Sequence, residues 1–238
     1  MISMLECLRQ RQPGQPIYRI LWWHLLHFIC WLWVAPCYRY RAFGQHHIPR
    51  TGPVLFVSNH QSFLDPILVG LAAHHRQFYA MARSTLFDHP VLSWLIRSLN
   101  AIPVERGQSD TASMRTCIQI LDQGHALLLF PEGTRTPDGT TQAFQRGLML
   151  LIKRAKPTII PVAIEGAYDA WPKGRKGPRL TGRIRVRYGR PIDSLQLTTM
   201  PADAALSELK RQVESMRRDL AGSTHGLVSD RARGDREA

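Results

Sequence analysis

The chain has 238 residues, 44% of them hydrophobic, enough for one sizeable core or for a domain with an anchor. Lys and Arg number 31 against 18 Asp and Glu, and the resulting +13 points to an anionic partner without separating nucleic acid, anionic lipid and phosphorylated substrate. The four cysteines, Cys7, Cys30, Cys37 and Cys117, form no C-x-x-C pair, which argues against a zinc site or a disulfide scaffold and for a reduced, cytosolic setting.

The first informative segment runs from Ile20 to Pro36, ILWWHLLHFICWLWVAP, with no formal charge and four of the chain's six tryptophans. Its length lies at the lower edge of the roughly 17–25 residues that span a bilayer. No small-x-small site follows it, so it does not read as a cleavable signal. Arg9, Arg11 and Arg19 precede it and Arg39 and Arg41 follow it, a symmetry that sets no orientation. Tryptophan favours the headgroup level, so a helix lying in one leaflet and a true span both stay open. Residues 1–43 are therefore expected to form a membrane-associating segment, with the chain on the cytoplasmic face of the inner membrane.

Short apolar runs then alternate with helical patterns. Val54–Ser58, Phe78–Ala82, Ile102–Glu105, Ala126–Phe130, Ile159–Ile164 and Ile184–Tyr188 read as strands. Asp65-Pro66 reads as a helix start, with Asp65 as N-cap and proline in the first turn. Asp110 is placed to cap a helix through Gln123, where Met114, Cys117, Ile118 and Leu121 recur at helical spacing; Phe144–Ala155 and Pro201–Leu220 complete the set. The alternation predicts one α/β domain over residues 44–220, a central mixed sheet flanked by helices. The polar tail, 221–238, is expected to lack structure.

Two stretches carry chemistry. Asn59-His60-Gln61-Ser62-Phe63-Leu64-Asp65 follows a strand, where open α/β sheets build sites. On one continuous helix His60 and Asp65 would point about 140° apart, so a turn must bring them together. An imidazole paired with a carboxylate can take the proton of an attacking alcohol. Phe130-Pro131-Glu132-Gly133-Thr134-Arg135 also follows a strand; Gly133 permits a left-handed or close backbone approach, and turn amides with Arg135 can hold an oxyanion.

Together, in this order, the two stretches resemble the glycerolipid acyltransferase family typified by 1-acylglycerol-3-phosphate acyltransferases. The family's N-H-x-x-x-x-D is matched by Asn59, His60 and Asp65, and its F-P-E-G-T-R by Phe130–Arg135. A strand ending in arginine resembles Ile102–Arg106, and an apolar motif with proline is similar to Ile160–Ile164. The resemblance implies that His60 is the general base and Asp65 its orienting partner. Asn59, Arg83, Arg106, Glu132, Gly133, Thr134, Arg135 and Pro161 are the implied substrate-binding positions. The arginines would meet the acceptor phosphate, and Pro161 would shape the acyl region. Glu132 orients Arg106 or Arg135, or bonds a substrate hydroxyl. Arg83 stands where many relatives have lysine.

The implied reaction moves a fatty acyl group from acyl-CoA or acyl-carrier protein to the hydroxyl of 1-acylglycerol-3-phosphate. It needs no metal or other cofactor, because the thioester carries the activation. Another lyso-lipid, such as lyso-ornithine lipid, is the nearest rival acceptor. A non-enzymatic lipid-binding or nucleic-acid-binding protein is the reading from another class, and no specific nucleic-acid signature supports it. Outside the motifs, Lys173 to Arg190 is strongly basic, and Arg183, Arg185 and Arg187 should share one strand face. That face is open to anionic headgroups, to the phosphates of coenzyme A, or to a role as a charged strand edge.

Overall fold

The structure, a computed structural model, describes residues 16–104 and 111–234. Arg106 and Asp110 lie outside the described residues. The strands are β1 (Arg41–Phe43), β2 (Val54–Ser58), β3 (Phe78–Arg83), β4 (Ala101–Val104), β5 (Ala126–Leu129), β6 (Thr158–Glu165), β7 (Arg185–Tyr188) and β8 (Ile192–Asp193). They form one mixed sheet in the order β1-β7-β6-β2-β5-β3-β4, with β8 added against β6. From β6 to β4 every neighbouring pair is parallel, whereas β7 and β8 run antiparallel to β6.

The central strand β2 shows why the sheet is sandwiched. All five of its residues are fully buried, so both faces are covered and an unbroken apolar run replaces alternation. Val54 and Phe56 point into a layer built by α1 (Ile17–Tyr38) and α2 (Asp65–Ala72). Leu55 and Val57 point the other way, among Leu121 of α4 (Thr111–Asp122), Leu148 of α5 (Gly147–Ala155) and Val213 of the long last helix. The remaining helices are α3 (Pro90–Ser98), the short α6 (Ala167–Ala170) and α7 (Ser194–Thr198), and α8 (Ala202–Gly234). Because β2 to β6 are parallel, the C-terminal ends of β2, β5, β3, β4 and β6 lie at one sheet edge.

Several boundaries differ from the sequence reading. The α/β mixed sheet is present, but β1, β8 and α3 were not foreseen, since two strands have only two or three residues and α3 buries none of its side chains. β1 falls inside the segment expected to be only an anchor, and its pairing with β7 ties that segment into the sheet. Helix α5 starts at Gly147, not Phe144, which is buried ahead of the helix. Helix α8 passes the expected boundary at residue 220 and continues to Gly234 through the stretch expected to lack structure. The basic strand β7 is no sheet edge. Arg185 donates to the Leu220 carbonyl (2.6 Å) and Arg187 to Asp219 (3.0 Å), so these two cations hold α8.

One buried cation closes the opposite sheet edge. Arg76, 2% exposed, donates to the carbonyls of Arg50, Gly52 and Gly124, on the turns that lead into β2 and β5. Charged donors to buried carbonyls leave a large desolvation debt when removed. Arg76→Met is expected to lower the unfolding free energy by about 2–4 kcal/mol, read from urea denaturation.

Candidate active site

β2 delivers its chain end to the middle of the sheet edge, and Asn59 anchors it there. The Asn59 amide donates to the Ile164 carbonyl (2.9 Å) and accepts from the Ile164 N–H (2.8 Å), a two-point clamp onto β6. At 1% exposure Asn59 therefore fixes backbone, whereas the sequence reading placed it against substrate.

The next residues fold around one carboxylate oxygen. Asp65 Oδ2 accepts from the amides of Gln61 (2.6 Å) and Ser62 (2.7 Å) and from His60 Nδ1 (2.8 Å). The turn required by the five-residue spacing thus exists, and the Asp65 side chain itself builds it. Asp65 is the first residue of α2, and its side chain binds the preceding loop instead of capping the helix as expected. A carboxylate only accepts, so Nδ1 carries the proton and Nε2 presents its lone pair. Asp65 is fully buried and the His60 side chain is 19% exposed, so the imidazole alone of the pair reaches solvent. Phe130 stacks on that ring at 4.1 Å with a 16° interplanar angle, fixing its plane from the neighbouring loop.

Glu132 holds the same loop from the other side. Its Oε1 accepts from the His60 N–H (2.8 Å) and its Oε2 from the Gln142 N–H (3.0 Å), while the Thr136 N–H returns to the His60 carbonyl (2.8 Å). These bonds tie Glu132 to two backbone amides, partners that the sequence reading did not name. Burial pushes the Glu132 carboxyl up to about 7, and the two amides pull it back only in part. Gly133 beside it has φ +70°, the left-handed turn that glycine allows at no steric cost.

Beyond the turn, Arg135 lies over the Phe63 ring at 3.5 Å from its centroid, which sets the guanidinium plane next to the His60 loop. Thr134 Oγ1 accepts from Lys173 Nζ (3.3 Å), bringing a cation from the loop after α6 to the same turn. That loop is tied in by Ser62 Oγ, which donates to the Trp171 carbonyl (3.0 Å), and by the tilted Phe63–Trp171 contact.

Of the other expected residues, Arg83 ends β3 on the same sheet edge and is exposed, with β5 between β3 and β2. Pro161 is buried within β6 opposite Val57, where its carbonyl accepts from the Gly189 N–H. Gln142, Lys173, Phe63 and Phe130 were not singled out as individual site residues. Gln142 and Lys173 lie outside the motifs, Phe63 falls on an open position within one, and the ring contacts of Phe63 and Phe130 depend on the fold.

In the unfolded chain Glu132 loses its proton near 4.5, and in the fold near 7. Between those values the folded state holds the proton more tightly, so this residue makes stability fall as pH rises, on the order of 3 kcal/mol in all. Glu132→Gln should flatten that slope in denaturation curves taken from pH 4.5 to 7. Because an amide presents N–H to one of the two backbone donors, it should also lower the rate of the chemical step at neutral pH by at least tenfold.

The acyltransferase family profile matches residues 39–165, just over half of the chain. A 1-acyl-sn-glycerol-3-phosphate acyltransferase of Arabidopsis thaliana chloroplasts is 28% identical over 198 residues, 80% of this chain and 54% of that protein. One from Bacillus subtilis is 22% identical over 180 residues, covering 76% of this chain and 87% of its own length. The chain spans about half to three fifths of the length of the plant and algal relatives it matches. The crystal structure of the 1-acyl-sn-glycerophosphate acyltransferase PlsC from Thermotoga maritima has the same fold, with a TM-score of 0.73, 23% identity and coverage of 90% of this chain and 87% of that one. With the family's two motifs folded into one loop pair at the sheet edge, the chain belongs to the acyltransferase family.

Proposed function

We propose that this chain transfers a fatty acyl group from a thioester donor, acyl-CoA or acyl-carrier protein, to the free hydroxyl of a 1-acylglycerol-3-phosphate, giving phosphatidic acid. The observation that carries the reading is His60 held through Nδ1 by a fully buried carboxylate, with Nε2 left as the basic atom. The acceptor hydroxyl gives its proton to Nε2 as its oxygen attacks the thioester carbonyl. The carbon–sulfur bond of the tetrahedral intermediate then breaks, and the departing thiolate takes the proton back from the imidazolium. The ester, the free thiol and neutral His60 are restored together. Asp65 stabilises the imidazolium between those two transfers.

The acceptor's phosphate is assigned to the turn that follows β5. Arg135, with its plane set by Phe63, offers a guanidinium edge suited to two phosphate oxygens, and Lys173 adds a second cation at Thr134. Acceptors lacking a phosphate monoester would make poorer use of this pair.

The chain is proposed to lie on one membrane leaflet. Helix α1 is about 33 Å long at 1.5 Å per residue, and its composition would allow a span. Its buried residues, however, fall at both ends, Ile20 and Trp23 near the start and Val34 and Tyr38 near the finish, so the domain grips it at each end. Leu21, Leu25, Phe28 and Leu32 recur along the opposite, exposed face. Through the Trp22–Trp94 contact that face adjoins α3, where Val91 and Trp94 are also exposed. A helix bound on one side and apolar on the other fits the interfacial plane.

Purified protein in mixed micelles, given labelled acyl-CoA or acyl-carrier protein and a panel of lysolipids, should acylate lysophosphatidic acid in preference to the others. His60→Ala should lower turnover by at least 10²-fold without loss of membrane binding, in line with the removal of a general base. Transfer to a phosphate-free lysolipid alone would overturn the acceptor assignment, and near-normal turnover by His60→Ala would overturn the base. For topology, single cysteines at Tyr18→Cys and Arg39→Cys in otherwise cysteine-free protein should label from the same side of sealed vesicles. Labelling from opposite sides would make α1 a span.

A further inference from the structure

The acyltransferase profile ends at residue 165, yet two side chains of α8 reach back to the loops that hold His60. Glu214 Oε2 accepts from Thr141 Oγ1 at 2.6 Å. Thr141 is buried and directly precedes Gln142, whose N–H binds Glu132, which in turn binds the N–H of His60. Arg217 grips Glu214 with two nitrogens, Nε to Oε2 at 3.0 Å and Nη2 to Oε1 at 2.9 Å. Its third nitrogen, Nη1, donates to Glu165 Oε2 at 2.8 Å, at the end of β6.

Glu165 stands at the head of a second line of contacts. Just beyond it, the backbone N–H groups of Ala167 (3.2 Å) and Tyr168 (3.3 Å) donate to Gln61 Oε1, and the Gln61 backbone N–H donates to Asp65 Oδ2. One guanidinium therefore joins the Glu132 side of the histidine loop to its Asp65 side. The side chains of Arg217 and Glu214 are each only 17% exposed, so the pair is shielded from the solvent screening that weakens surface ion pairs. The Arg217 guanidinium holds the Glu214 carboxyl down at about 2, which keeps it an ionised acceptor for Thr141 at any working pH.

We propose that Glu214 and Arg217 of α8, acting through Thr141 and Glu165, are positioning residues for acyl transfer that lock the two loops flanking His60 into one geometry. They touch neither substrate nor the imidazole. Their effect is on how firmly the His60 backbone is held, and a misplacement of about 1 Å at a reacting group can cost on the order of 10²-fold in rate. The proposal rests on the acyl-transfer reading of His60, but the tether itself can be measured without an acceptor.

Thr141→Val removes the hydroxyl that reaches Glu214 at nearly constant volume and leaves the Arg217 ion pairs in place. In the full chain it is expected to raise amide hydrogen exchange at His60 and Gln142 and to lower kcat, each about tenfold, the scale of one buried hydrogen bond. KM for donor and acceptor should stay within about twofold of wild type, because the phosphate-binding cations are untouched. Thr141→Ser, which keeps the hydroxyl, should restore both the exchange rates and kcat. Unchanged exchange, unchanged kcat, or a kcat loss matched by a loss of folded protein in circular dichroism would each overturn the proposal. Failure of the wild-type chain to acylate any lysolipid would sink the acyl-transfer reading instead, and the exchange rates alone would then decide the tether.

Discussion

A single carboxylate oxygen organises this site. Asp65 Oδ2 gathers two backbone amides and the imidazole Nδ1 within 2.8 Å. The amides need a negative acceptor to close so tight a turn, and the imidazole needs the same charge to settle its tautomer. Shape and protonation are therefore set together by one buried atom. The rest of the sheet edge follows from that demand: β2 must end at the sheet's centre, α2 must begin at Asp65, and the surroundings must exclude water from a fully buried carboxylate.

The two motifs divide their labour unevenly. Asn59 staples β2 to β6, Glu132 supports the His60 N–H, and Gly133 turns the chain through a left-handed angle. These letters encode the form of two loops. Arg135 and Lys173 add positive charge beside the same turn, and of these two only Arg135 belongs to a motif. A rigid scaffold of this kind needs little reorganisation, since the dipoles that hold His60 are already in place.

How much of this was legible in the residues depends on the range of the interaction. The His60–Asp65 pair was readable because its partners are five residues apart, and hard sterics show that only a turn can join them. The mixed sheet was readable from strongly apolar runs such as ALLL, which few other environments accept. Glu132 was found without its two backbone partners, because these amides come from residues 72 positions before it and 10 after it. Arg185 and Arg187 read as a charged face, and only the path of α8 shows that they are spent on Leu220 and Asp219. Asp65 looked like a helix cap since short-range patterns cannot tell which way a carboxylate turns. Gln142 and Thr141 carried no local signal at all; their importance exists only once α8 returns to the sheet edge.

The integration of the N-terminal segment has a practical side. Apolar leaders on membrane enzymes invite removal to yield a freely dissolved catalytic fragment. Here Val34 and Tyr38 of α1 are fully buried in the core, Tyr38 Oη donates to the Arg179 carbonyl, and β1 supplies the outer neighbour of β7. Cutting after residue 43 would strip α1 from the layer it shares with α2, expose the β7 edge to self-association and leave a cavity where two core side chains had been. Solubility in this protein has to be sought by repainting the outward face of α1 with polar residues, while the inward face and the strand behind it are left whole.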